Sequence, residues 1–437
     1  MTEPTSYVAD TICRTVELGV TITGAAVDAQ DRTRLWCQVL GPDARCPGCG
    51  FAGELRDHAD RVLTDVPLAG YPVVLHVAVP RFVCYTSSCD RSIYRARIDR
   101  IAGPREVVTT RTRRWIVQQI VVSKMSVSAV AAQLGLAWKT VNQIALDAAR
   151  SLVYDGTHLD RVRHLGVDEH KWKHVRGQGD PSYVTVLIDL TPVIDGTGPA
   201  RLLDMIGGRS KQVLKQPMAE RTPQFRDRVT TVAMDGFTGY KSATTEELPK
   251  ARVVMDPFHV VHLAAAKLDL CRQRIQQATC GHRGRKGDPL YKIRRILHTR
   301  TDLLTDKQKT LLVDSLTSDD NHVAVEITHQ VYQQLIAAYE HPKRREGKKL
   351  MYKVLRRIRS GLPAGLDELA TLGRSLWTRR KEILAYFDTG VSNGPVEAIN
   401  GRLEHLRGIA QGFRNLDHYI LRSLLHSGQL ADRINAL

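Results

Sequence analysis

The stretch RVTTVAMDGFTGYKSA, residues 228–243, contains an apolar, β-branched run that stops at an acid and a glycine. Such a run, bounded by turn residues, predicts a short buried strand that ends at Asp235 and leads into a helix. A second run, ARVVMD at residues 251–256, repeats the pattern and ends at Asp256. Strands that alternate with helical stretches in this way predict a mixed α/β layer.

Three further apolar runs precede these two: HLGVD (164–168), SYVTVLIDL (182–190) and ARLLDMI (200–206). Together the five runs predict a mixed five-stranded sheet with helices. From about residue 259 to 388 the pattern is helical and basic, and GHRGRKGD at 281–288 is typical of an exposed linker.

Residues 1–98 are rich in β-branched segments, such as Val20–Val27 and Tyr71–Val79, and they contain two pairs of closely spaced cysteines. One pair lies in the knuckle CPGCG, and the other follows the second predicted strand. Four thiolates make a closed tetrahedral site, so we expect one structural zinc ion. The predicted ligands are Cys46, Cys49, Cys84 and Cys89, and two weaker candidates are Cys37 and His58.

The stretch MSVSAVAAQLGLAWKTVNQIALDAAR, residues 125–150, predicts a helix-turn-helix. Ser126 or Ser128 can cap a first helix, Gly135 suits the turn, and a second helix starts near Trp138. We expect polar side chains of the second helix to be exposed and to reach base edges and phosphates in a major groove. These side chains are Lys139, Thr140, Asn142 and Gln143.

Basic residues are in excess and clustered. Lys and Arg number 63 against 46 Asp and Glu, which gives a net charge of +17. Residues 91–114 hold eight arginines against two acids, and residues 343–359 hold nine Lys or Arg against one acid. Clusters of one sign directly before a helix-turn-helix indicate DNA as the partner. In the first cluster we expect Arg111, Arg113 and Arg114 to contact it.

Composition also narrows the class of protein. A hydrophobic content of 43% is that of an ordinary globular chain. There is no apolar run of about 18 residues, and the start MTEPTSYVAD has no signal-peptide pattern. We therefore expect a cytoplasmic protein that does not enter membranes, in which the cysteines bind metal rather than form disulfides.

Four acids occupy positions from which carboxylates can converge. Asp168, Asp235 and Asp256 each close a predicted strand, and Glu397 follows SNGP (392–395) near a helix start. Phosphodiester cleavage by two metal ions about 3.5–4 Å apart needs about three converging carboxylates. Magnesium prefers oxygen ligands and keeps several waters, so a few carboxylates suffice.

Several runs resemble those of bacterial insertion-sequence transposases, in the group usually called ISL-three. They are LGVDEHKW (165–172), VAMDGFTGYKSA (232–243), DPFHVVHLA (256–264) and SNGPVEAINGRLEHLRGIAQGFRN (392–415). A four-cysteine finger with CPGCG, followed by a helix-turn-helix, also resembles that group. The similarity covers nearly the whole chain, in the family's order.

The resemblance implies an RNase H-like core in which Asp168, Asp235 and Glu397 form a catalytic DDE triad. The triad would hold two Mg or Mn ions per active site. Glu397 stands 162 residues after Asp235, which is too far for a bare core and implies an all-α insertion. The run DPFH implies a role for His259 at the scissile phosphate. A capping Asp256 and a structural His259 fit the residues equally well, so whether these two join the active site stays open.

The predicted organisation is a multidomain α/β chain of five segments. They are a β-rich four-cysteine zinc-binding domain (1–98), a helix-turn-helix domain (99–155), the first part of the RNase H-like core (156–281), a basic helical insertion (282–388), and the C-terminal helices of the core with the catalytic Glu (389–437). On the Glu397 helix, Asn400 shares the face of the glutamate. Arg402 and Arg407 are expected to contact DNA phosphate.

These features predict a transposase that binds terminal inverted repeats, cleaves DNA strands with metal ions and transfers a 3′-hydroxyl end into target DNA. Two ends must be joined, so a homodimer or larger assembly is expected. The alternative is a non-catalytic, domesticated DNA-binding regulator, which would lose a carboxylate, whereas all three are present. A nuclease for RNA–DNA hybrids would not need a duplex-reading front end.

Overall fold

The computed structural model describes residues 4–154, 157–173 and 182–435. The chain packs into two units. The terminal unit combines Met1–Asp155 with His405–Leu437, and the central unit is Gly156–Glu404. This division differs from the predicted segment 389–437, which we assigned as a whole to the catalytic core.

Ten strands and nineteen α-helices are found in the described ranges. The strands are β1 (Val20–Val27), β2 (Thr33–Val39), β3 (Glu54–Leu68), β4 (Tyr71–Val83), β5 (Ile93–Arg95), β6 (His164–Lys171), β7 (Tyr183–Asp189), β8 (Arg201–Gly207), β9 (Thr231–Met234) and β10 (Arg252–Met255). The helices are α1 (Pro4–Cys13), α2 (Thr15–Leu18), α3 (Thr110–Val121), α4 (Val127–Leu134), α5 (Trp138–Val153), α6 (Thr191–Asp195), α7 (Lys211–Ala219), α8 (Pro223–Arg228), α9 (Thr238–Glu247), α10 (Pro257–Cys280), α11 (Pro289–Lys292), α12 (Asp306–Thr317), α13 (Val323–Glu340), α14 (Arg344–Ile358), α15 (Asp367–Thr378), α16 (Arg380–Thr389), α17 (Gly394–Ile409), α18 (Leu416–Ser427) and α19 (Ala431–Asn435).

The sheet of the terminal unit has the strand order β1-β2-β4-β3, and β5 pairs with β4. β2 and β4 run parallel, whereas β1 with β2 and β3 with β4 are antiparallel. In β4, Val73, Leu75, Val77 and Val79 are buried and the residues between them are not. This alternation is that of a strand with one face in a core. The predicted β-rich domain is therefore confirmed.

Strand β3, which is 15 residues long, lies between Cys49 and Cys84, where the sequence predicts two strands but gives bounds for Tyr71–Val79 alone. Its sequence ELRDHADRVLTDVPL is dominated by charged side chains, and within it only Leu63 and Asp65 are fully buried. The strand lies at the edge of the sheet, where charged side chains are common because they discourage pairing with other chains. An edge strand of this kind lacks the apolar pattern by which strands are found in a sequence.

The predicted helix-turn-helix is present as α4 and α5. The Ser126 Oγ accepts a hydrogen bond from the Ala129 N–H at 3.1 Å and caps α4. Helix α4 ends at Gly135, whose φ of 62° lies in the left-handed region that glycine adopts without strain. Helix α5 starts at Trp138, and the preceding Ala137 offers no side-chain cap.

The C-terminal helices complete the core of the terminal unit. Helix α18 packs against α5, and α19 packs against α3. Tyr419, Leu424 and Ile434 are buried there, and the Arg433 guanidinium donates a hydrogen bond to the carbonyl of Leu152 at 2.9 Å. The sequence pattern of this segment predicts an amphipathic helix but does not indicate its packing partner.

The sheet of the central unit has the order β10-β9-β6-β7-β8. Strands β6, β7 and β8 form an antiparallel meander, and β9 and β10 add in parallel to β6. Helices α7, α8 and α9 pack on this sheet through Leu214, Phe225 and Tyr240. This is the RNase H-like arrangement, and all five predicted strands are found in it.

Helices α10 to α16 share a second core of the central unit. Val260, Leu268 and Ile275 place the whole length of α10 in this core, together with the helices of the predicted insertion at 282–388. In α14, Met351 and Ile358 are buried while most basic side chains of the helix face outward. No helix in the ranges that the structure describes is long and apolar enough to cross a membrane.

Candidate active site

Two aspartates lie side by side on neighbouring parallel strands. Val167 of β6 pairs with Met234 of β9, and in each strand the next residue is an acid. Asp168 and Asp235 therefore lie at the same level of the sheet, on strands that are about 4.8 Å apart. This register is what brings two residues that are 67 positions apart in the sequence to one place.

Asp168 does not close its strand as predicted. Strand β6 continues to Lys171 because it pairs with β7, where Asp168 is opposite Val186. It is the neighbouring β9 that ends, at Met234. The aspartate therefore stands on a continuous strand beside the free end of a shorter one, which holds its backbone more rigidly than a loop would.

The environment of Asp168 disfavours a negative charge. Burial raises the pKa of its carboxyl to about 6, and the negative charge of Asp235 contributes to the rise. A buried carboxylate beside a second negative charge gains stability when a divalent cation binds next to it. The residues present thus fit a metal ion with oxygen ligands.

Helix α17 approaches β6 closely because residue 166 is glycine. A Cβ at Gly166 would lie 2.7 Å from Cγ2 of Val396 and 3.3 Å from Oδ1 of Asn393. The Asn393 side-chain amide donates a hydrogen bond to the carbonyl of Val167 at 3.1 Å. These contacts place the first turn of α17, which carries Glu397, on β6. The importance of Gly166 was missed, although a glycine inside a strand pattern signals such an approach.

Asn400 connects the same helix to the first aspartate. Its Nδ2 donates a hydrogen bond to Oδ2 of Asp168 at 2.9 Å. Asn400 lies three residues after Glu397 in α17, and side chains at that spacing share a helix face. Glu397 is exposed. The sequence-based expectation that Asn400 and Glu397 act on one side of the helix is consistent with this contact.

Whether Asp256 joins the active site stayed open from the sequence. In the structure its carboxylate accepts a hydrogen bond from a backbone N–H. It follows Met255 of β10, which pairs with Met234, so it continues the row of aspartates by one strand. Its Oδ1 accepts a hydrogen bond from the Asn393 N–H at 2.8 Å, and the carboxylate is buried. Burial raises the pKa of Asp256, and the charge of Glu397 contributes. Asp256 thus fixes the start of α17.

His259 stands beside the second aspartate. A Cβ on Gly236, the residue after Asp235, would lie 3.0 Å from Nε2 of His259. The imidazole therefore packs against the turn that follows β9. Its side chain is half-buried.

The three acids of the predicted triad do not all bring their carboxylate oxygens within 4.8 Å of one another. Within the described residues, one group of three or more ligating side chains has all its donor atoms within 4.8 Å, and it is a cysteine cluster. A site with two metal ions about 3.5–4 Å apart spreads its carboxylates more widely than a site with one.

The cysteine cluster consists of the four predicted zinc ligands Cys46, Cys49, Cys84 and Cys89. The sulfur atoms of Cys46 and Cys89 are 3.7 Å apart, and those of Cys49 and Cys84 are 3.6 Å apart. In a tetrahedral zinc site with Zn–S bonds of about 2.3 Å, sulfur atoms lie about 3.8 Å apart. The cluster therefore has the size of a zinc site, and Cys37 and His58 lie outside it.

The knuckle CPGCG has a structural explanation. A Cβ on Gly48 would lie 3.0 Å from the Cys89 sulfur, so a larger residue would crowd the site. Gly50 has a φ of 79°, in the left-handed region. The Thr86 hydroxyl, 3.5 Å from the Cys49 sulfur, lowers the pKa of this thiol to about 6. Cys49 is then a thiolate at neutral pH, which is the form that binds metal.

The predicted DNA-binding residues of α5, the second helix of the helix-turn-helix, differ in how exposed they are. Lys139 and Gln143 are exposed, Thr140 is half-buried, and the Gln143 amide donates a hydrogen bond to Asp147. Asn142 was predicted to be exposed, and this is wrong: it is 5% exposed. The reason is that α18 packs against α5 and covers the face of Asn142, a contact that the sequence did not indicate.

The arginines predicted to contact DNA in the cluster at residues 91–114 also differ in their surroundings. Arg111 forms an ion pair with the buried Asp65, so it serves the interior of the terminal unit and does not offer a free cation to DNA. Arg113 pairs with Glu106, whereas Arg114 is exposed.

The two arginines predicted on the Glu397 helix, Arg402 and Arg407, are both half-buried.

Comparison with known proteins gives consistent matches along the chain. The model of a zinc-finger of transposase IS204/IS1001/IS1096/IS1165 matches residues 42–89, and that of the helix-turn-helix domain of transposase family ISL3 matches residues 98–149. The model of the ISL3 DDE domain, described as transposase, matches residues 165–423. The acids Asp168, Asp235 and Glu397 all lie inside this last range.

Whole-chain relatives agree with these matches. The transposase for insertion sequence element IS1001 of Bordetella parapertussis is 25% identical over 90% of this chain and 92% of its own length. The transposase for insertion sequence element IS1557 of Mycobacterium tuberculosis is 26% identical over 69% of this chain and 68% of its own. The structure of the Drosophila P element transposase strand transfer complex aligns with 75% of this chain and 93% of its own chain, at 13% sequence identity. The TM-score of this alignment is 0.38.

The chain has an RNase H-like sheet whose acids lie in the matched DDE domain, and it also carries a zinc finger and a helix-turn-helix. These features together define a DNA transposase. More narrowly, the chain is a member of the ISL3 family of insertion-sequence transposases, whose DDE model covers more than half of it. The resemblance noted in the sequence is thereby confirmed.

Proposed function

We propose that this transposase binds the terminal inverted repeats of its insertion sequence, cleaves a DNA strand there and transfers the freed 3′-hydroxyl into target DNA. The observation that carries the proposal is the register of β6 and β9, which sets Asp168 beside Asp235. A hydrogen bond from Asn400 to Asp168 adds the helix of Glu397 to the pair. Cleavage and transfer would use this one site in turn.

Each acid has a distinct part in the proposed site. Asp168, Asp235 and Glu397 would hold two Mg or Mn ions. When bound, these ions would activate the attacking oxygen and stabilise the leaving one. Asn400 keeps Asp168 in one orientation, and Asp256 keeps the start of α17 in place. His259, next to the turn after Asp235, is positioned to hydrogen-bond a non-bridging oxygen of the scissile phosphate.

Recognition of DNA falls to the terminal unit in this proposal. One zinc ion on the four cysteines stabilises the finger, and the exposed Lys139, Gln143 and Arg114 supply contacts to the duplex. Arg402 and Arg407 add contacts to phosphate. Because two element ends must be joined, the active form would be a dimer or a larger assembly on the nucleoid in the cytoplasm.

The test is to incubate the protein with Mg²⁺ and a labelled duplex that carries the end of its own element. We expect wild type to nick the duplex and to join it to a target plasmid. Asp235→Asn should bind the duplex with unchanged affinity and lose cleavage by at least about 1,000-fold, which corresponds to about 4 kcal/mol of transition-state stabilisation. Asp227→Asn, an exposed acid that pairs with Lys250, is the matched control and should cleave normally.

Two results would contradict the proposal. If wild type binds the element end without nicking it in Mg²⁺ or Mn²⁺, the chain is the non-catalytic regulator instead. If Asp235→Asn cleaves as fast as wild type, the reaction takes place elsewhere than at the row of aspartates.

A further inference from the structure

A cavity of about 760 Å³ lies inside the terminal unit, between the helix-turn-helix and the C-terminal segment. Both parts of its wall belong to this unit. The lining residues that matter here are Ser126, Trp138, Asn142, Arg414, His418 and Arg422. The family matches and the catalytic proposal assign nothing to this cavity.

Arg422 is the unusual residue in the wall. It is 4% exposed, and no hydrogen bond or ion pair of its guanidinium is found with any residue that the structure describes. Burial lowers the pKa of Arg422 to about 10, so the side chain is still a cation at neutral pH. A buried charge without a partner destabilises a protein, and such groups persist where a ligand supplies the opposite charge.

The remainder of the wall is also suited to an anion. The cavity is lined at Ser126 and Val127 by the start of α4, and at Asn415 by the residue that caps α18. Helix starts carry partial positive charge and N–H groups that lack partners inside the helix. Arg414 and His418 add two basic side chains, and none of the residues that line the cavity is acidic.

We propose that this cavity binds a phosphate group of duplex DNA and that Arg422 is its counter-ion. The phosphate would accept hydrogen bonds from Arg422 and from the start of α4, a helix-start site for anions. Trp138, which is about half-exposed at the cavity, provides an apolar surface for the attached sugar. In this way α18 becomes part of the DNA-binding surface, and the helix-turn-helix does not act alone.

This inference rests on the proposed function in one respect, namely that the bound phosphate belongs to DNA. Catalysis and this site can fail independently, because the site lies in the terminal unit and the acids lie in the central unit. A wild type that binds DNA through Arg422 but does not cut it would remove the catalytic proposal and leave this one intact.

The key variant is Arg422→Met in the full chain, with Arg34→Met as the matched control. Arg34 belongs to the same unit but pairs with Asp28 on the sheet. Duplex binding is measured by fluorescence anisotropy between 50 and 300 mM salt. We expect Arg422→Met to weaken binding about tenfold and to reduce the slope of log Kd against log salt by about 1, as for the loss of one phosphate contact. Arg34→Met should change the affinity less than twofold.

A second measurement separates a binding role from a structural one. Because Arg422→Met removes an unpaired buried charge, its melting temperature should equal or exceed that of wild type. In phosphate or sulfate, compared with chloride at equal ionic strength, wild type should melt at a higher temperature and Arg422→Met should not respond.

Two outcomes would overturn the proposal. If Arg422→Met melts at a clearly lower temperature and binds DNA as tightly as wild type, Arg422 is a structural residue. If inorganic anions stabilise wild type through Arg422 but DNA affinity and salt slope are unchanged in the variant, the cavity takes a free anion and not a DNA phosphate.

Discussion

Asn400 of α17 donates a hydrogen bond to Asp168 of β6 across 232 residues of sequence, with 2.9 Å between Nδ2 and Oδ2. The bond fixes one carboxylate and also the rotation of the helix that presents Glu397 three residues earlier. A single amide thus connects Asp168 to the helix that carries Glu397, the first and the last acid of the predicted triad. An amide can do this without adding a charge to a site that is already crowded with negative groups.

We first predict that Asn400→Ala retains DNA binding and loses about 10- to 100-fold in cleavage. This range is typical for the loss of a group that orients a metal ligand. The Mg²⁺ concentration for half-maximal cleavage should rise, since Asp168 is then free to turn away from the metal. Cleavage assays over a range of Mg²⁺ concentrations measure both effects.

Asn321→Ala is the control for this variant, because Asn321 lies in the helical domain and bonds to Asp319. If Asn400→Ala cleaves more slowly but needs no more Mg²⁺ than wild type, the side chain does not act through the metal site.

We next predict that Gly166→Ala destabilises the central unit by about 1–3 kcal/mol, the range for overpacking in a core. The new Cβ would lie 2.7 Å from Cγ2 of Val396, so α17 must move away from β6. Adding Val396→Ala should recover part of the loss, and the double-mutant cycle measures this coupling. Thermal and urea unfolding give the free energies.

Gly401→Ala is the matched control. Gly401 lies in α17, the helix that packs against Gly166, and a Cβ there would meet nothing within 4 Å. It should stabilise the chain by up to about 1 kcal/mol through helix propensity alone. Equal destabilisation by both alanines would show that the close approach at Gly166 is not what matters.

Much of this architecture could be predicted from local patterns. The five strands of the central sheet, the helix-turn-helix and the four cysteines all follow from short apolar runs, caps and spacing. These features depend on residues that are close in the sequence. The three acids stand out for the same reason, because each sits where an apolar run stops or a helix starts.

Other features depend on contacts between distant segments and could not be predicted. The burial of Asn142 requires knowledge that α18 packs on α5. The pairing of Arg111 with Asp65 requires knowledge of the bounds and pairing of β3, which its many charged residues do not reveal. A charged or polar residue looks the same in a sequence whether its partner is solvent, DNA or a buried group of the same chain.

We further predict about one zinc ion per chain, and that Cys49→Ser or a strong chelator unfolds the finger and abolishes DNA binding. Structural zinc contributes on the order of 10 kcal/mol of apparent binding free energy in small domains, so a finger of this size does not survive its loss. Metal analysis and circular dichroism test this directly. Cys280→Ser, an exposed cysteine outside the cluster, should behave as wild type. A folded, DNA-binding protein without zinc would refute the assignment.

A pH dependence should arise in the helical domain. Burial, with a contribution from His298, lowers the pKa of His329 from its ordinary value of 6.5 to about 4. Between these two values the unfolded chain binds more protons than the folded one, so the stability due to His329 falls as the pH drops below 6.5. We expect roughly 1 kcal/mol less stability at pH 5.5 than at pH 8 from this residue.

The comparison is urea unfolding of wild type and His329→Gln at both pH values. The variant should lose that part of the pH dependence, whereas a variant of the exposed His405 should retain it. Equal pH dependence in wild type and His329→Gln would contradict the prediction.

The packing of α18 on α5 and of α19 on α3 has a consequence for synthesis on the ribosome. The helix-turn-helix emerges early, yet the faces of α3 and α5 that α18 and α19 cover stay exposed until residues 416–435 have been translated, after the whole central unit. A chain that stops prematurely, even one that already contains Asp168, Asp235 and Glu397, would carry a DNA-binding part with an open core. Such fragments should be prone to aggregation and degradation. The fold thus limits activity to molecules that have been translated through their last helices.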